Sequence, residues 1–442
     1  MAGDDRTQPP PGQKPTVQRR PGDPRDVPVA PAEPPRAQRP LRPREDASTE
    51  PPAGIPRRPG GAIPPSETYS SGAPRDRLVE NARFGELFVL FIINILLGIV
   101  TVGIYRFWGK TRIRKYIWSR TSFRGEPFEY AGTGLQLFVG FLLALIFFGP
   151  PFLGFYAWIY FDPPKMPGDP RAPLDPAAIG HLLLIYLVGL GLVILAFYFI
   201  HVATYAAYRY RLSRTIWRGI RGSVSGSAWV YGFLGFGLSA LNGLSLGWTK
   251  PWADTVLLKY RLNRTTIGSE PLVCDLQAGP LYGPFAAAWL ITMVATILAF
   301  VGVFSVMFSY RDLMRPGEQP PLAFLVVLIL LYLLIPVVWL VTINFYRAAL
   351  IRMTASTSKL DGLSFRFEVG GWALLWFNIS NFLLVLISLG LLLPLVIVRY
   401  ARFIERYLRI DGEIDYASLK QTPDRGPRYG EGIAEFFGLG VI

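Results

Sequence analysis

Residues 101–120 read TVGIYRFWGKTRIRKYIWSR. A long apolar run ends here, and seven of the nineteen residues from Arg106 to Arg124 are Arg or Lys, interleaved with Tyr, Phe and Trp. Basic and aromatic side chains together suit a nucleic-acid-binding surface or the edge of a membrane domain. The rest of the chain decides between them.

Of the 442 residues, 51% are hydrophobic and only 17% charged, against roughly 25% charged in ordinary soluble domains. The apolar residues are gathered in blocks. Residues 135–161, 179–203, 282–310 and 322–345 contain no Asp, Glu, Lys or Arg, and a run of about 20 apolar residues spans the hydrocarbon core of a bilayer. These blocks predict an all-α polytopic membrane protein. The net charge of +14 then reads as cations at membrane edges, and no nucleic-acid partner is expected.

Cys274 is the single cysteine, which excludes an internal disulfide. The two histidines, His181 and His201, are twenty residues apart, about 30 Å along one helix, so they cannot share a metal. No metal and no cofactor are expected. Residues 1–83 hold 19 of the 39 prolines, with 14 basic and 11 acidic residues and almost no apolar clusters. Such a segment is expected to be a disordered tail, because it buries too little surface to offset its chain entropy. No apolar segment follows Met1 closely enough to predict a cleavable secretory signal.

The opening stretch belongs to a repeat. Measured from Gly103, Asn94 lies nine residues before, Thr101 two before, Lys115 and Tyr116 twelve and thirteen after, and Gly125-Glu126 twenty-two and twenty-three after. From Gly247 the same offsets reach Ser245, Lys259-Tyr260 and Glu270; from Gly390 they reach Asn381, Ser388, Arg402-Phe403 and Gly412-Glu413. The spacings are 144 and 143 residues, without gaps. A second block, Arg209, Gly219 and Trp229, recurs as Arg352, Gly362 and Trp372. The chain therefore reads as about two and a half tandem units, 84–227, 228–371 and a truncated 372–442, together the transmembrane domain 84–442. Each unit opens with an apolar segment broken by small or polar residues, continues through a basic stretch, and reaches a turn-like acidic step at Glu126, Glu270 or Glu413. Phe128–Tyr130 and Pro271–Asp275 suggest short extended pieces beside that step.

Charge sets the sides. Residues 106–134 carry seven basic and two acidic residues, and 204–228 carry five basic and none acidic, whereas loop 162–178 has two basic and three acidic. Positive loops belong to the cytoplasm, so loops 162–178 and 311–321 read as external, and the tail and the C-terminus as cytoplasmic. Four full spans follow. The opening segments 84–105, 229–249 and 374–398 must then return to the side they entered from, as irregular backbone at depth permits. The rival reading makes all three full spans, seven in total, with inverted units of the kind common in transporters.

The stretch LFVLFIINILLGIVTVGIYRFWGKTRIRKYIWSRTSFRGEPFEYAGTG resembles the opening motif of the YjgN-like family of bacterial inner-membrane proteins, RTIWRGIRGSVSGSAW resembles its second block, and GEGIAEFFGLGVI its C-terminal end. The resemblance covers roughly residues 84–442. It implies a bacterial inner-membrane location and no activity, since the family is a domain of unknown function.

Candidate polar or ligand positions are Glu126, Glu270 and Glu413, three related carboxylates that either close their turns or bind a cation or headgroup, and Asn94 and Asn381, which either line an aqueous cavity or bridge helices. The membrane-edge set is Arg106, Trp108, Lys110, Arg112, Arg114, Lys115, Tyr116 and Trp118, with Arg209, Arg211, Arg214 and Arg218 from the second block; its cations are expected to meet anionic headgroups at about 1 kcal/mol each. Gly235 to Ala240 match a dinucleotide-binding spacing inside an apolar segment, the wrong context for that motif. No nucleophile elbow or phosphate loop is present, so no enzyme is expected. A non-catalytic protein that engages lipid or a partner is the first reading. A transporter or channel-like protein with a cytoplasm-facing cavity is the alternative, disfavoured by the absence of charge in the four long blocks.

Overall fold

The computed structural model describes residues 76–164, 175–311, 321–416, 419–422, 424 and 426–439. The tail expected to be disordered lies outside the described residues as far as residue 75, as do 165–174 and 312–320 of the two loops read as external.

Among the described residues, 78–411 form five modules, each running strand, helix, helix, strand. The first is β1 (Leu78–Glu80), α1 (Phe84–Val100), α2 (Arg106–Arg120) and β2 (Thr121–Phe123). The second is β3 (Glu126–Tyr130), α3 (Gly134–Phe161), α4 (Pro176–Arg214) and β4 (Thr215–Trp217). The third is β5 (Ile220–Val224), α5 (Ala228–Leu244), α6 (Lys250–Leu262) and β6 (Thr265–Ile267). The fourth is β7 (Glu270–Cys274), α7 (Tyr282–Tyr310), α8 (Leu322–Ser356) and β8 (Ser358–Leu360). The fifth is β9 (Leu363–Phe367), α9 (Gly371–Ile387), α10 (Leu393–Tyr407) and β10 (Leu408–Asp411).

The ten strands form one antiparallel meander in chain order. Its edges approach each other, and the Ile410 N–H donates to the Asp76 carbonyl at 2.7 Å, so the sheet is a nearly closed barrel. Expectation of an all-α protein is overturned by this barrel. The reason is length: strands of three to five residues are too short to show a two-residue alternation, and they are hidden between long helices.

Local chemistry places each strand. At four of the five junctions where a helix runs into a strand, a hydroxyl caps the last turn: Thr121 donates to the Ile117 carbonyl at 2.9 Å, Thr215 to Arg211 at 3.1 Å, Thr265 to Arg261 at 3.0 Å and Ser358 to Thr354 at 2.6 Å. Two-residue turns then reverse the chain. Arg124-Gly125, Arg218-Gly219 and Asp361-Gly362 have positive φ at both positions, the mirror-image turn that matches strand twist. These turns occupy one rim of the barrel and all ten module helices attach at the other. Phe123, Trp217, Leu360, Leu363 and Ile410 fill the barrel. A cavity of about 150 Å³ remains, to whose lining Ile414 and Leu419 from beyond β10 also contribute.

Long and short modules alternate. The helices of the second and fourth are long and apolar enough to cross a membrane. The short modules coincide with the three opening segments. Each begins with a helix of 17 residues, about 25 Å long, then bends at 101–105, 245–249 or 388–392 and returns to the same rim. Packing of α1 on α10 joins the last module to the first.

Candidate functional site

Lys110 and Arg114 are four residues apart on α2, so both face the same way. The same spacing recurs near the C-terminus, on α11 (Gly430–Phe436), which carries Glu431 and Glu435. α11 lies between α3 and α4 and sets the two ladders face to face. Arg114 donates to both oxygens of Glu431, at 2.6 and 2.5 Å, and Lys110 donates to both oxygens of Glu435, at 2.7 and 2.9 Å. Arg114 is 1% exposed and Glu431 0%. A third cation, Arg211 at the end of α4, stands with Nη1 at 3.5 Å from Glu431, too poorly aligned to complete a hydrogen bond.

Burial works against the charge of Arg114, but its two-pronged pair with Glu431 overrides that cost and holds the guanidinium above its ordinary range. Burial also pushes up the phenol of Tyr130. That phenol stays protonated and accepts from Arg114 Nη1 at 3.1 Å. Two carboxylates therefore face three cations. A buried pair of this kind adds little net stability, yet loss of one partner costs about 3–5 kcal/mol because the survivor is left charged and dry.

Glycines let α11 approach. A Cβ on Gly432 would stand 2.5 Å from the Cα of Gly140, and one on Gly140 2.9 Å from the Cα of Gly432. Both obstacles are backbone and cannot move aside cheaply. Beyond the glycines, Phe148 of α3 stacks on Phe436 at 5.5 Å and meets Phe437 and Phe199 edge-on at 5.0 and 4.8 Å. Ala203, Ala207 and Ala434 close the α4 side. Upstream, the Asp424 carboxylate accepts from Arg209 at 3.1 Å and from the Gly426 N–H at 2.8 Å, which ties the C-terminal segment to α4.

The basic and aromatic positions singled out from sequence divide into two groups. Lys110, Arg114, Arg209 and Arg211 face carboxylates of the chain's own C-terminal segment. The others are spread over the surface or tie elements together. Arg106 stacks over Phe107 and Phe141, and Arg112 over Tyr105; both are exposed, as is Lys115. Trp108 packs on Phe138, Tyr116 donates to Glu86 at 3.0 Å, and Trp118 Nε1 donates to Thr215 at 3.1 Å. Arg214 lies over Tyr210, and Arg218 over Tyr416. Glu126 and Glu270 begin β3 and β7, directly after their turns, and Glu413 follows β10. Among the described residues no hydrogen bond or ion pair joins one of these glutamates to another. Asn94 donates to the Gly109 carbonyl at 3.4 Å, bridging α1 and α2. Asn381 is buried on α9 with both amide atoms unpartnered. Among the described residues no group of three His, Cys, Asp or Glu could hold a metal.

Residues 78–436 match the family described as bacterial protein of unknown function (DUF898). The chain belongs to that family. Among curated proteins it is similar to inner membrane protein YjgN of Salmonella typhimurium, 36% identical over 87 residues, covering 18% of this chain and 22% of that protein. It is also similar to inner membrane protein YjgN of Escherichia coli K12, 33% identical over 61 residues, covering 14% of this chain and 15% of that protein. The chain thus spans about a fifth or less of the length of the curated relatives it matches. No solved structure is significantly similar to it.

This DUF898 member uses Glu431, Glu435, Asp424 and Tyr130 in ways that sequence reasoning missed. One signal was present: Gly430-Glu431-Gly432 places an acid between two glycines, a composition suited to a carboxylate carried into a close helix crossing.

Proposed function

We propose that the protein is an integral protein of the bacterial inner membrane that binds anionic lipid headgroups at a basic collar and performs no covalent chemistry there. The observation that supports this is a set of unused donors. Arg209 Nε and Arg214 Nε, on the last two turns of a span-length helix, are shielded from solvent and have no hydrogen-bond partner among the described residues. Guanidinium N–H groups pair well with phosphate oxygens, and cations at the end of a span lie at headgroup level. Exposed Arg106, Arg112 and Lys115 extend the same charge around α2. The inner-membrane names of the relatives agree with this location.

The test is thermal unfolding of the full chain in neutral detergent with added lipid. A ligand that binds the folded state raises its melting temperature. Phosphatidylglycerol or cardiolipin should raise it more than phosphatidylcholine, and Arg112→Gln with Arg214→Gln should shrink the difference. Equal stabilisation by all three lipids would overturn the reading. Solute flux through proteoliposomes would replace it with transport.

A further inference from the structure

The bends of the three short modules share one unusual conformation. Val102, Leu246 and Leu389 have φ of 51°, 51° and 50°, and each precedes a glycine that also has positive φ: Gly103, Gly247 and Gly390. In each bend the glycine N–H reaches back five residues, to Gly98, Asn242 and Val385, at 2.7, 2.7 and 2.8 Å. The apolar residue N–H reaches back three, to Ile99, Gly243 and Leu386. This is the pair of bonds that ends many helices, and the left-handed position in it ordinarily belongs to glycine. A β-branched valine or a leucine there is strained. A hydroxyl two residues before the glycine then caps the return helix: Thr101 accepts from the Tyr105 N–H at 2.9 Å, Ser245 from Thr249 at 3.2 Å and Ser388 from Leu392 at 3.1 Å.

The strained side chains touch almost nothing. Val102, Leu246 and Leu389 are 92%, 70% and 91% exposed. In water such a residue would gain nothing over the glycine that the backbone prefers. The same costly choice in all three copies of the repeat implies that the side chain is itself used. The depth of Leu246 says where. Trp289 Nε1 of α7 donates to the Leu246 carbonyl at 2.8 Å, and Trp289 lies seven residues into that span-length helix, about 10 Å past its start.

We propose that Val102, Leu246 and Leu389 are seated among the acyl chains of the leaflet that faces the barrel, so that the short modules form a three-point anchor beside the spans. The occupant of these tips is lipid hydrocarbon, because the helices bearing them leave the same barrel rim as the four span-length helices. The anchor needs no particular headgroup charge, so it stands or falls apart from the anionic-lipid reading.

The test is a single nitroxide at position 102, 246 or 389, through Val102→Cys, Leu246→Cys or Leu389→Cys in a Cys274→Ser chain reconstituted in bilayers. Lys359→Cys, at the exposed residue of β8, is the aqueous control. Each tip label should collide far more often with oxygen than with a water-soluble nickel chelate, and the control should show the reverse. A tip that meets the chelate as freely as position 359 overturns the proposal. A tip shielded from both reagents overturns it too, by placing a second protein surface there. Wild-type protein in bilayers with a diazirine deep in the acyl chain supplies the mutation-free check: peptides containing 102, 246 and 389 should carry the adduct, and their absence from the labelled set would overturn the anchor.

Discussion

The two long hairpins occupy equivalent places in the repeat and solve the same packing problem differently. α7 lies along α8 and seals on itself, with the Thr292 and Thr342 hydroxyls meeting at 3.1 Å, and Tyr346 of α8 donates to Asp254 of the neighbouring α6 at 2.8 Å. α3 and α4 are held apart, and α11 fills the opening. The register shows the exchange position by position. Phe148 and Phe199, which meet across the open hairpin at 4.8 Å, correspond at 144 and 143 residues to Thr292 and Thr342. Arg114, Ala207 and Arg211 correspond to Leu258, Leu350 and Thr354. Those three line an apolar cavity of about 410 Å³ in the second unit. At the Arg114 and Arg211 positions charge therefore tracks what must be bound, with arginines where the strap enters and leucine, threonine and space in the second unit, while Lys110 corresponds to Asp254, which is held by Lys250 and Tyr346.

The largest expected effect removes the centre of the strap. Glu431→Gln should cost about 3–5 kcal/mol, since Arg114 keeps its charge in a dry site. Hydrogen exchange should rise in α3 and α4 while α7 and α8 stay protected; an equal rise in both hairpins would break the comparison. Arg114→Leu combined with Glu431→Leu copies the second unit and should restore most of the loss in a double-mutant cycle. No coupling between the two sites would mean that the pair is not the fastening. The second hairpin gives the counterpart. Tyr346→Phe deletes a hydrogen bond to a charged group, worth about 1.5–3 kcal/mol. It should loosen α8 against α6 and leave α3 and α4 protected. Gly140→Ala comes next. Its methyl would meet backbone of the strap, an overpacking expected to cost about 1–3 kcal/mol, read as a lower melting temperature with α11 exchanging faster.

Much of this architecture was legible before the structure. The four span-length blocks stand out because absence of charge over 24 or more residues has few causes. The hydroxyl at Thr101, Ser245 and Ser388 was visible as a register mark, and the structure supplies its job as a cap on the return helix. The barrel was not legible as such: its strands are three to five residues long, strands pair across long helices, as Phe128 does with Trp217, and the edges meet only where Ile410 reaches Asp76. The strap was hidden for another reason. Glu431 and Arg114 are 317 residues apart, and a buried ion pair leaves no periodic trace. Basic residues in α2 and α4 looked like one surface because sequence shows charge and not what faces it.

The smallest expected effect concerns pH and also divides the hairpins. Arg209 and Arg352 are equivalent, but Arg209 pairs with Asp424 whereas Arg352 donates to the Val369 carbonyl at 2.6 Å. Partial burial works against the Asp424 charge, and the Gly426 N–H and Arg209 outweigh it, so its carboxyl lies below the ordinary 3.8. A depressed carboxyl stabilises the fold fully above its unfolded value and loses that contribution as pH falls through the folded one. The pair is more than a third exposed on the Asp424 side, so screening reduces the effect to a few tenths of a kcal/mol. Glu80 has the opposite sign: burial raises its carboxyl above 4.5, so its contribution is lost as pH rises through the raised value. Glu80 belongs to β1 and touches neither long hairpin. Acidification below about 4, the ordinary carboxylate range, should therefore free α4 and the strap before α8, and Asp424→Asn should erase that difference without changing exchange in α8. Equal acid sensitivity of both hairpins would show that the two arginines do equivalent work despite their different partners.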